Sequence, residues 1–315
     1  MAADESASEW KGRIRLRRSV LIAPGDNTKL LAKMSVCGAD VCILDWEDGV
    51  LPHRKAAARD ITTEALRQPW RCPERVVRTN AMSTEYIGRD IAAAVATGCD
   101  SIMLPKVETA ADVERADAMI SAAEKACGRE PGSVEVWALI ETVHAVLNLE
   151  AIAAGPRMTA MIFGGGDLGA DLRLKRIQLG ANRTLGMMRY EYVYAFGRFV
   201  AAARAAGIDP VNVGFTSYAD LEGTREDAEI SAQFGFTGAL AISPRQIDVL
   251  NEVFSPSADD MRWSDEVLTA VDKASGEDKA VVVVDGSMID GPFIRSARYM
   301  RELHDLITAH EAAGR

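Results

Sequence analysis

From Arg18 onward, short apolar runs rich in β-branched residues alternate with longer amphipathic segments, and no other feature constrains the fold as strongly. The amphipathic segments carry the 3.6-residue period of surface helices. Continuous apolar runs are typical of strands buried on both faces. Eight such runs occur: SVLIAP, DVCILDW, RVVRTN, SIMLPKV, VEVWALIET, AMIFGGGD, VNVGF and ALAISP. The pattern therefore predicts eight parallel strands, each followed by a helix.

The spacing of the strand ends favours a closed barrel. With one longer interval after Asp167, the ends follow one another at close to the roughly 30 residues of a strand and helix unit. Eight units close into a (β/α)8 TIM barrel of about 250 residues, and segment 18–254 supplies nearly that length. The longer interval contains LGMMRYEYVYAFGRFVAAARAAG, which predicts an extended helix. A doubly wound open sheet is the alternative fold.

Two further segments flank the predicted barrel. Residues 1–17 form a polar N-terminal segment, and residues 255–315 contain a polar connector, a strand-like run that leads into DGSMIDGP, and a last helix. The second segment is short for an independent domain. We therefore expect a C-terminal helical extension that packs on the barrel or on a neighbouring subunit.

Composition excludes several classes of protein. Thirty-six basic and 46 acidic side chains give a net charge of -10, which disfavours nucleic-acid binding. The five cysteines show no C-x-x-C spacing, so they predict neither a disulfide framework nor a thiolate zinc site. The N-terminus is acidic and polar, unlike a signal peptide, and no run of 18 apolar residues occurs. We predict a cytoplasmic protein without a membrane or nucleic-acid partner.

Polar residues collect at the predicted strand ends, where chemistry lies in a (β/α)8 barrel. They are Asp45, Glu47, Asp48, Arg78, Asn80, Lys106, Glu108, Glu141 and Asp167. Glu141 and Asp167 end neighbouring strands, so both carboxylates point into the same mouth. Oxygen ligands with open positions suit Mg²⁺, which relieves the repulsion between the two charges. We predict that Glu141 and Asp167 hold Mg²⁺ and contact substrate; helix capping and salt bridges are the alternatives.

Arg78 ends an otherwise apolar strand and would bring a guanidinium into the barrel mouth. Glu47 or Asp48 can pair with it from the adjacent strand. Its free donors would hold a substrate carboxylate or a developing enolate oxygen, whereas a purely structural ion pair is the alternative.

Three glycines, Gly164, Gly165 and Gly166, precede Asp167. They let the backbone turn tightly and bring N–H groups against a carboxylate or oxyanion. We assign Gly165 and Gly166 to substrate binding, with a tight turn that contacts no ligand as the alternative.

A basic cluster precedes the first strand: Lys11, Arg13, Arg15, Arg17 and Arg18. Such a cluster predicts a solvated edge or, alternatively, a site for a phosphate-bearing cofactor.

The motifs also carry a resemblance to a known family. RRSVLIAPG, LDWEDGV, VVRTNAM, IMLPKVE, ALIETVHAV, FGGGDLGADL, ISPRQI and DGSMIDGP occur in the order expected of that family. The chain resembles the citrate lyase beta-subunit and malyl-CoA lyase family, within the HpcH/HpaI aldolase/citrate lyase superfamily. The resemblance implies a barrel that is usually trimeric, Mg²⁺ on Glu141 and Asp167, and Arg78 on the substrate.

It also implies roles for three further carboxylates. Glu47 and Asp48 match the acidic pair that follows the second strand in the family, and we expect them to be catalytic. Asp290 matches the Asp that reaches the active site of a neighbouring subunit as an acid/base. Where this chain has Asp48, the pyruvate aldolase branch commonly has His, which disfavours that branch.

The activity implied is that of a Mg-dependent carbon-carbon lyase. It would cleave a 3-hydroxyacyl-CoA of the malyl-CoA or citramalyl-CoA type to acetyl-CoA or propionyl-CoA and glyoxylate or pyruvate, or catalyse the reverse condensation. The alternatives are a metal-dependent aldolase acting on free 4-hydroxy-2-oxo acids, a citryl thioester lyase subunit, and a non-catalytic subunit that binds metal and a partner. CoA and acyl carrier protein both remain open as the thioester carrier, and we expect a homotrimer or hexamer.

Overall fold

The computed structural model describes residues 13–175, 190–275 and 281–313. Eight parallel strands close into a barrel in chain order, and the last strand pairs with the first. They are β1 (Ser19–Pro24), β2 (Val41–Asp45), β3 (Glu74–Arg78), β4 (Ser101–Leu104), β5 (Glu135–Ile140), β6 (Met158–Phe163), β7 (Asp209–Asn212) and β8 (Gly238–Ala241). Each apolar run predicted to be a strand overlaps one of them, and the (β/α)8 TIM barrel is confirmed.

Helices follow the strands, as the amphipathic segments predicted. Those of the described chain are α1 (Thr28–Met34), α2 (Lys55–Leu66), α3 (Ile87–Thr97), α4 (Ala110–Cys127), α5 (Val143–Leu147), α6 (Leu149–Ala153), α7 (Gly165–Asp171), α8 (Val193–Ala206), α9 (Leu221–Phe234), α10 (Ile247–Val253), α11 (Ala258–Ser275) and α12 (Gly291–Ala313). In the described residues, no helix is both long enough and apolar enough to cross a membrane.

The predicted extended helix is shorter within the described residues. A single 3-10 turn occupies Tyr190–Tyr192, and α8 ends at Ala206, before Gly207, which adopts a left-handed φ of 75°. Residues 185–189 of that prediction, and residues 1–12 of the predicted polar N-terminal segment, lie outside the described residues.

Strand alternation decides which side chains enter the barrel. Val41, Ile43 and Val76 belong to the interior cluster of buried apolar residues. Asp45 and Arg78 lie on the same side of their strands as these residues, at the carboxyl ends. The pattern that builds the apolar interior therefore also places a charged pair at its mouth.

The opposite end of the barrel is closed by Arg17, which precedes β1 and is fully buried. Its guanidinium binds Glu74 at 2.8 Å and Asp209 at 3.1 Å. Arg18 is also buried, because it forms an ion pair with Asp40 at 2.9 Å. The expectation of a solvated edge or cofactor site is wrong for Arg17 and Arg18, since carboxylates of the barrel base already take their donors.

A second compact unit consists of Ile14–Leu16 and the chain from Glu252 onward. Between α11 and α12 lies a hairpin of β9 (Val282–Val284) and β10 (Ser287–Ile289), joined by a turn in which Gly286 has a φ of 75°. The sequence predicted one strand-like run here, so β10 was missed. Val267, Val284, Ile289 and Ala297 form the apolar core of this unit.

Candidate active site

A cavity of about 230 Å³ opens at the carboxyl ends of the barrel strands. Its floor is apolar and comes from successive strands: Ile22, Met103, Leu139, Ile162, Val213 and Leu240. The polar residues of its lining include Arg78, Glu141, Gly166 and Asp167. Four residues assigned from the sequence are therefore brought together in one cavity.

Arg78 is held in place by carboxylates of the β2 end. Its Nε and one terminal nitrogen donate to the two oxygens of Asp45 at 2.6 and 2.8 Å, and the other terminal nitrogen lies 3.1 Å from Glu47 Oε2. Burial lowers the pKa of Arg78, but the hydrogen bonds and charge of Asp45 outweigh it, so the pKa is raised overall. Arg78 is therefore a fixed positive charge at the cavity wall.

Asp45 was noted in the sequence as a strand-end carboxylate but was given no role. It also accepts backbone hydrogen bonds from Glu47 at 2.8 Å and Gly49 at 2.9 Å, so both of its oxygens are fully engaged. Asp45 faces inward on β2 and is paired with Arg78 on β3. This position at the strand end could have predicted from the sequence that Asp45 binds Arg78.

Glu47 and Asp48, the two predicted catalytic carboxylates of this loop, differ in environment. Glu47 is buried, and burial is the main cause that raises its pKa, although the positive charge of Arg78 opposes this. Asp48 is 68% exposed, and its nearest cation is Lys106 Nζ at 3.9 Å. Neither residue belongs to the cavity lining. Glu47 contacts Arg78 directly, whereas Asp48 lies at the exposed rim.

Lys106 contacts two of the carboxylates, Glu47 and Glu141. The sequence analysis noted it at a strand end but predicted no role for it. Its backbone has a left-handed φ of 53°, and its N–H donates to Glu141 Oε1 at 2.8 Å. Its side-chain Nζ lies 3.1 Å from Glu47 Oε1. A non-glycine residue in this conformation is held by its surroundings, and here both polar ends of Lys106 orient acidic side chains.

The ionised form of Glu141 is disfavoured by its surroundings in the cavity. Burial raises its pKa to about 8, the charges of Glu47 and Asp167 push in the same direction, and the Lys106 N–H opposes them. Asp167 also lies within hydrogen-bonding range of Glu141. The two carboxylates predicted to share a metal are thus neighbours in the structure.

Gly164 makes room for this pair. A Cβ added there would lie 2.5 Å from Glu141 Cβ and 3.2 Å from Glu141 Oε2, so no other residue type fits without displacing the carboxylate. Gly165 is buried, and its carbonyl accepts a hydrogen bond from the Tyr192 hydroxyl at 2.7 Å. Gly166 lines the cavity, whereas Gly165 does not.

Tyr192 was not predicted as part of this region. Its ring packs edge-on against Phe163 with centroids 5.5 Å apart, and Phe163 contacts Phe196 and Phe199 of α8 in the same manner. Because the Tyr192 ring is held by this aromatic cluster, its hydroxyl holds the Gly165 carbonyl in place. The aromatic residues of YEYVYAFGRF were visible in the sequence, but only the fold shows that they meet β6.

A simple charge count describes what the site can bind. Asp45, Glu47, Asp48, Glu141 and Asp167 carry up to five negative charges, and Arg78, Lys106 and Lys55 carry three positive charges. The two excess negative charges match a divalent cation, and oxygen ligands suit Mg²⁺. Within the described residues, no group of three or more His, Cys, Asp and Glu is arranged to hold a metal. Two protein carboxylates would therefore leave positions for water and substrate.

The fold is a (β/α)8 barrel, and its carboxyl end, where the active sites of barrel enzymes lie, presents carboxylates and an arginine. The family model described as HpcH/HpaI aldolase/citrate lyase matches residues 18–244. The chain belongs to this family, and the predicted lyase class is confirmed by that membership.

Individual relatives extend the similarity over nearly the whole chain. Citrate lyase subunit beta of Escherichia coli strain K12 is 35% identical over 295 residues, covering 93% of this chain and 95% of the relative. The L-malyl-CoA/beta-methylmalyl-CoA lyase of Cereibacter sphaeroides strain ATCC 17029 is 35% identical over 309 residues, with coverages of 94% and 96%. The crystal structure of CitE from Mycobacterium tuberculosis in complex with magnesium, acetoacetate and coenzyme A matches with a TM-score of 0.73 and 29% identity, covering 91% of this chain and 97% of that chain.

Proposed function

We propose that this protein is a Mg-dependent carbon-carbon lyase that cleaves a 3-hydroxyacyl-CoA of the malyl-CoA or citramalyl-CoA type. The products would be acetyl-CoA or propionyl-CoA and a 2-oxo acid, glyoxylate or pyruvate, and the reverse condensation uses the same site. One observation carries the proposal: Glu141, Asp167 and Arg78 line a single cavity whose floor is apolar.

Glu141 and Asp167 fit Mg²⁺ for reasons visible in the chain itself. They are adjacent carboxylates: Glu141 is buried, which raises its pKa, whereas Asp167 is exposed to solvent, and Gly164 leaves the space beside Glu141 Oε2 open. When bound, the cation would supply Lewis acidity that favours loss of the substrate hydroxyl proton. The similar M. tuberculosis structure that contains magnesium supports this assignment.

Arg78 would stabilise the negative charge that develops in the reaction. Cleavage of the bond between the carbinol carbon and the α-carbon of the thioester leaves an enolate on the thioester product. Asp45 takes two of the five N–H groups of Arg78, and Glu47 Oε2 lies 3.1 Å from a third nitrogen as an ion pair, so donors remain for a substrate carboxylate or the enolate oxygen. Because Asp45 fixes the guanidinium in advance, little reorganisation is needed when charge develops.

Asp290 would protonate the enolate carbon in the site of a neighbouring subunit. It directly precedes α12, and its Oδ1 is buried without a hydrogen-bond partner among the described residues. The same unit exposes an apolar surface: Val283 and Met288, paired across the hairpin, are 69% and 66% exposed, and Phe293 is 48% exposed. An apolar surface of this kind suits contact with another subunit, in a trimer or hexamer.

Subunit mixing tests this arrangement directly. Arg78→Lys and Asp290→Asn chains should each be nearly inactive alone. If sites are shared, hetero-oligomers made by unfolding and refolding the two chains together should recover a fraction of wild-type turnover. Recovery should be absent when either variant is refolded alone. No recovery in mixed oligomers of confirmed composition would contradict the role of Asp290 across subunits.

A substrate panel tests the lyase assignment and separates it from its rivals. The protein should release free CoA thioester and 2-oxo acid from malyl-CoA, β-methylmalyl-CoA or citramalyl-CoA only with Mg²⁺ present. Faster cleavage of free 4-hydroxy-2-oxo acids would instead indicate an aldolase, and activity restricted to citryl thioesters would indicate a citrate lyase subunit. Mg²⁺ binding without turnover across the panel would indicate a non-catalytic subunit.

We retain a cytoplasmic location as part of the proposal. It is supported by the cysteines, since all five are free thiols and structural disulfides are rare in reducing compartments. CoA thioesters as substrates agree with this location, and the proposal includes no nucleic-acid partner.

A further inference from the structure

Three of the five cysteines lie together on the outer side of the barrel, near the start of β2. Cys42 is the second residue of β2 and points away from the interior, since Val41 and Ile43 on either side of it belong to the interior cluster. The Cys42 thiol and the Cys37 backbone N–H share one hydrogen-bond acceptor, the Met34 carbonyl, so the two residues are neighbours. The proposed lyase site makes no use of this cluster.

Backbone contacts hold the three segments together. The carbonyl of Met34, the last residue of α1, accepts from the Cys37 N–H at 3.3 Å and from Cys42 Sγ at 3.7 Å. The Arg71 N–H donates to the Ser35 carbonyl at 2.8 Å, which brings the segment that contains Cys72 against the end of α1. The proximity of the thiols therefore follows from the connections around β2 and β3.

The three thiols differ in access to solvent. Cys42 is fully buried and Cys72 is 5% exposed, whereas Cys37 is only half-buried. A small oxidant in solution therefore reaches Cys37 first. Cys99 is also buried, and burial raises its pKa to about 12, so it should not compete.

Cys37 is also the thiol that ionises most readily in the cluster. The hydrogen bond from Cys42 lowers the pKa of Cys37 to about 7, against the effect of burial, and the charge of Arg71 adds to the lowering. The pKa of Cys42 is raised, mainly by its hydrogen bonds with Cys37 and Cys72. Of these two thiols, Cys37 is therefore the one that more readily forms the thiolate, which is the reactive form.

We propose that Cys37 is a peroxide-reactive cysteine and that Cys42 is its resolving partner, so that oxidation forms a disulfide between them. The Cys37 thiolate attacks one oxygen of hydrogen peroxide, the O–O bond breaks, and the departing hydroxide takes a proton to become water. The Cys37 sulfur, oxidised by two electrons, is now a sulfenic acid. The Cys42 sulfur then attacks it, the S–O bond breaks, and the Cys42 proton leaves with the hydroxyl as a second water.

Peptide mapping tests the proposal without any assay of turnover. The full-length protein is reduced, freed of reductant, treated with hydrogen peroxide, alkylated with N-ethylmaleimide and digested with trypsin. Cys37 and Cys42 fall in one tryptic peptide, 34–54, whereas Cys72 falls in 72–75. We expect peptide 34–54 to be lighter by two hydrogens and to carry no alkyl group, while 72–75 remains alkylated. Cleavage before Asp40 should then give two fragments joined by the disulfide.

Variants make the assignment specific. With Cys42→Ala, the sulfenic acid on Cys37 should persist and be trapped by dimedone. With Cys37→Ser, Cys42 should stay a free thiol at the same peroxide dose. Cys127→Ser is the matched control, because Cys127 is exposed and stands apart from the cluster; this variant should form the disulfide as the wild type does.

Three results would overturn the proposal. Peptide 34–54 could retain two alkyl groups at a dose that oxidises Cys127, which would show that Cys37 is not preferentially reactive. Cys37 could instead link to Cys72, which would give a peptide joining 34–54 and 72–75 and exclude Cys42 as the partner. Direct oxidation of Cys37 to sulfinic acid, with no loss of hydrogen, would show that no thiol resolves it.

Discussion

The two ends of the barrel each contain an arginine among carboxylates, fully buried at the base and 15% exposed at the mouth, and the arginine at the mouth faces a cavity. At the base, Arg17 donates all five of its N–H groups to Glu74, Asp209 and Thr159, and it lies 4.6 Å from the centroid of the Trp137 ring. At the mouth, Arg78 donates two N–H groups to Asp45 and forms an ion pair with Glu47, and it faces a cavity with two further carboxylates.

The difference shows that a buried arginine indicates a functional site only when its donors are not all used. Arg17 is a structural residue, because it is fully buried and protein atoms accept from each of its donors. Arg78 is fixed just as firmly by Asp45, but the excess of negative charge around Glu141 and Asp167 calls for a cation. Substitutions at the base, where all donors of Arg17 are paired, should therefore differ in effect from substitutions at the mouth, where negative charge is in excess.

The largest effect should come from the two proposed metal ligands. Glu141→Gln and Asp167→Asn should each lower turnover by on the order of 10³-fold or more, equivalent to ~4 kcal/mol, because they remove the charge that holds Mg²⁺. Mg²⁺ should raise the melting temperature of the wild type but not of either variant. Asp171→Asn is the matched control, since Asp171 lies on the same helix and bonds the Val143 N–H instead of lining the cavity. Full wild-type activity in excess chelator would contradict the metal site.

At the base, Arg17→Met should act on stability and not on chemistry. Removing one partner of a buried ion pair costs ~3–5 kcal/mol, since Glu74 and Asp209 are left without their cation. Urea denaturation should show this loss in the free energy of unfolding, while kcat per folded molecule stays near wild type. Arg67→Met, which removes an exposed ion pair with Glu64, should leave stability unchanged within error. A large fall in kcat per folded molecule in Arg17→Met would mean that Arg17 has a role in catalysis beyond its structural role at the base.

Arg78→Lys should show the opposite behaviour at the mouth. Lysine keeps the charge but cannot bind Asp45 with two parallel hydrogen bonds while donating to substrate. We expect kcat/KM to fall on the order of 10²-fold, about 2.7 kcal/mol, with a much smaller change in melting temperature than Arg17→Met. If stability falls as far as in Arg17→Met and kcat/KM does not change, Arg78 is a structural residue like Arg17.

The sequence predicted the barrel because an apolar run followed by an amphipathic segment occurs eight times, and each strand can be recognised from its own run. It also predicted Arg78, Glu141 and Asp167 as one group, since parallel strands must end at the same face. It did not predict the structural role of Arg17, which was assigned to a solvated edge or a cofactor site. Only the fold shows that Arg17 meets Glu74 and Asp209 at the base. Lys106 and Tyr192 were missed because their roles depend on a left-handed backbone and on a ring contact across elements.

The smallest expected effect concerns the outer side of the barrel near its base, where Cys42 is the second residue of the strand that ends at Asp45. The hydrogen bond from Cys42 is the main cause that lowers the pKa of Cys37 to about 7. Below this value the thiol is protonated, so the rate of Cys37 alkylation by N-ethylmaleimide should rise about tenfold per pH unit and then level above it. Cys42→Ala removes the donor, and the midpoint should move to higher pH. An unchanged midpoint in that variant would mean that Cys42 does not stabilise the Cys37 thiolate. The cysteines near the base would then be structural residues, as Arg17 is in the barrel interior.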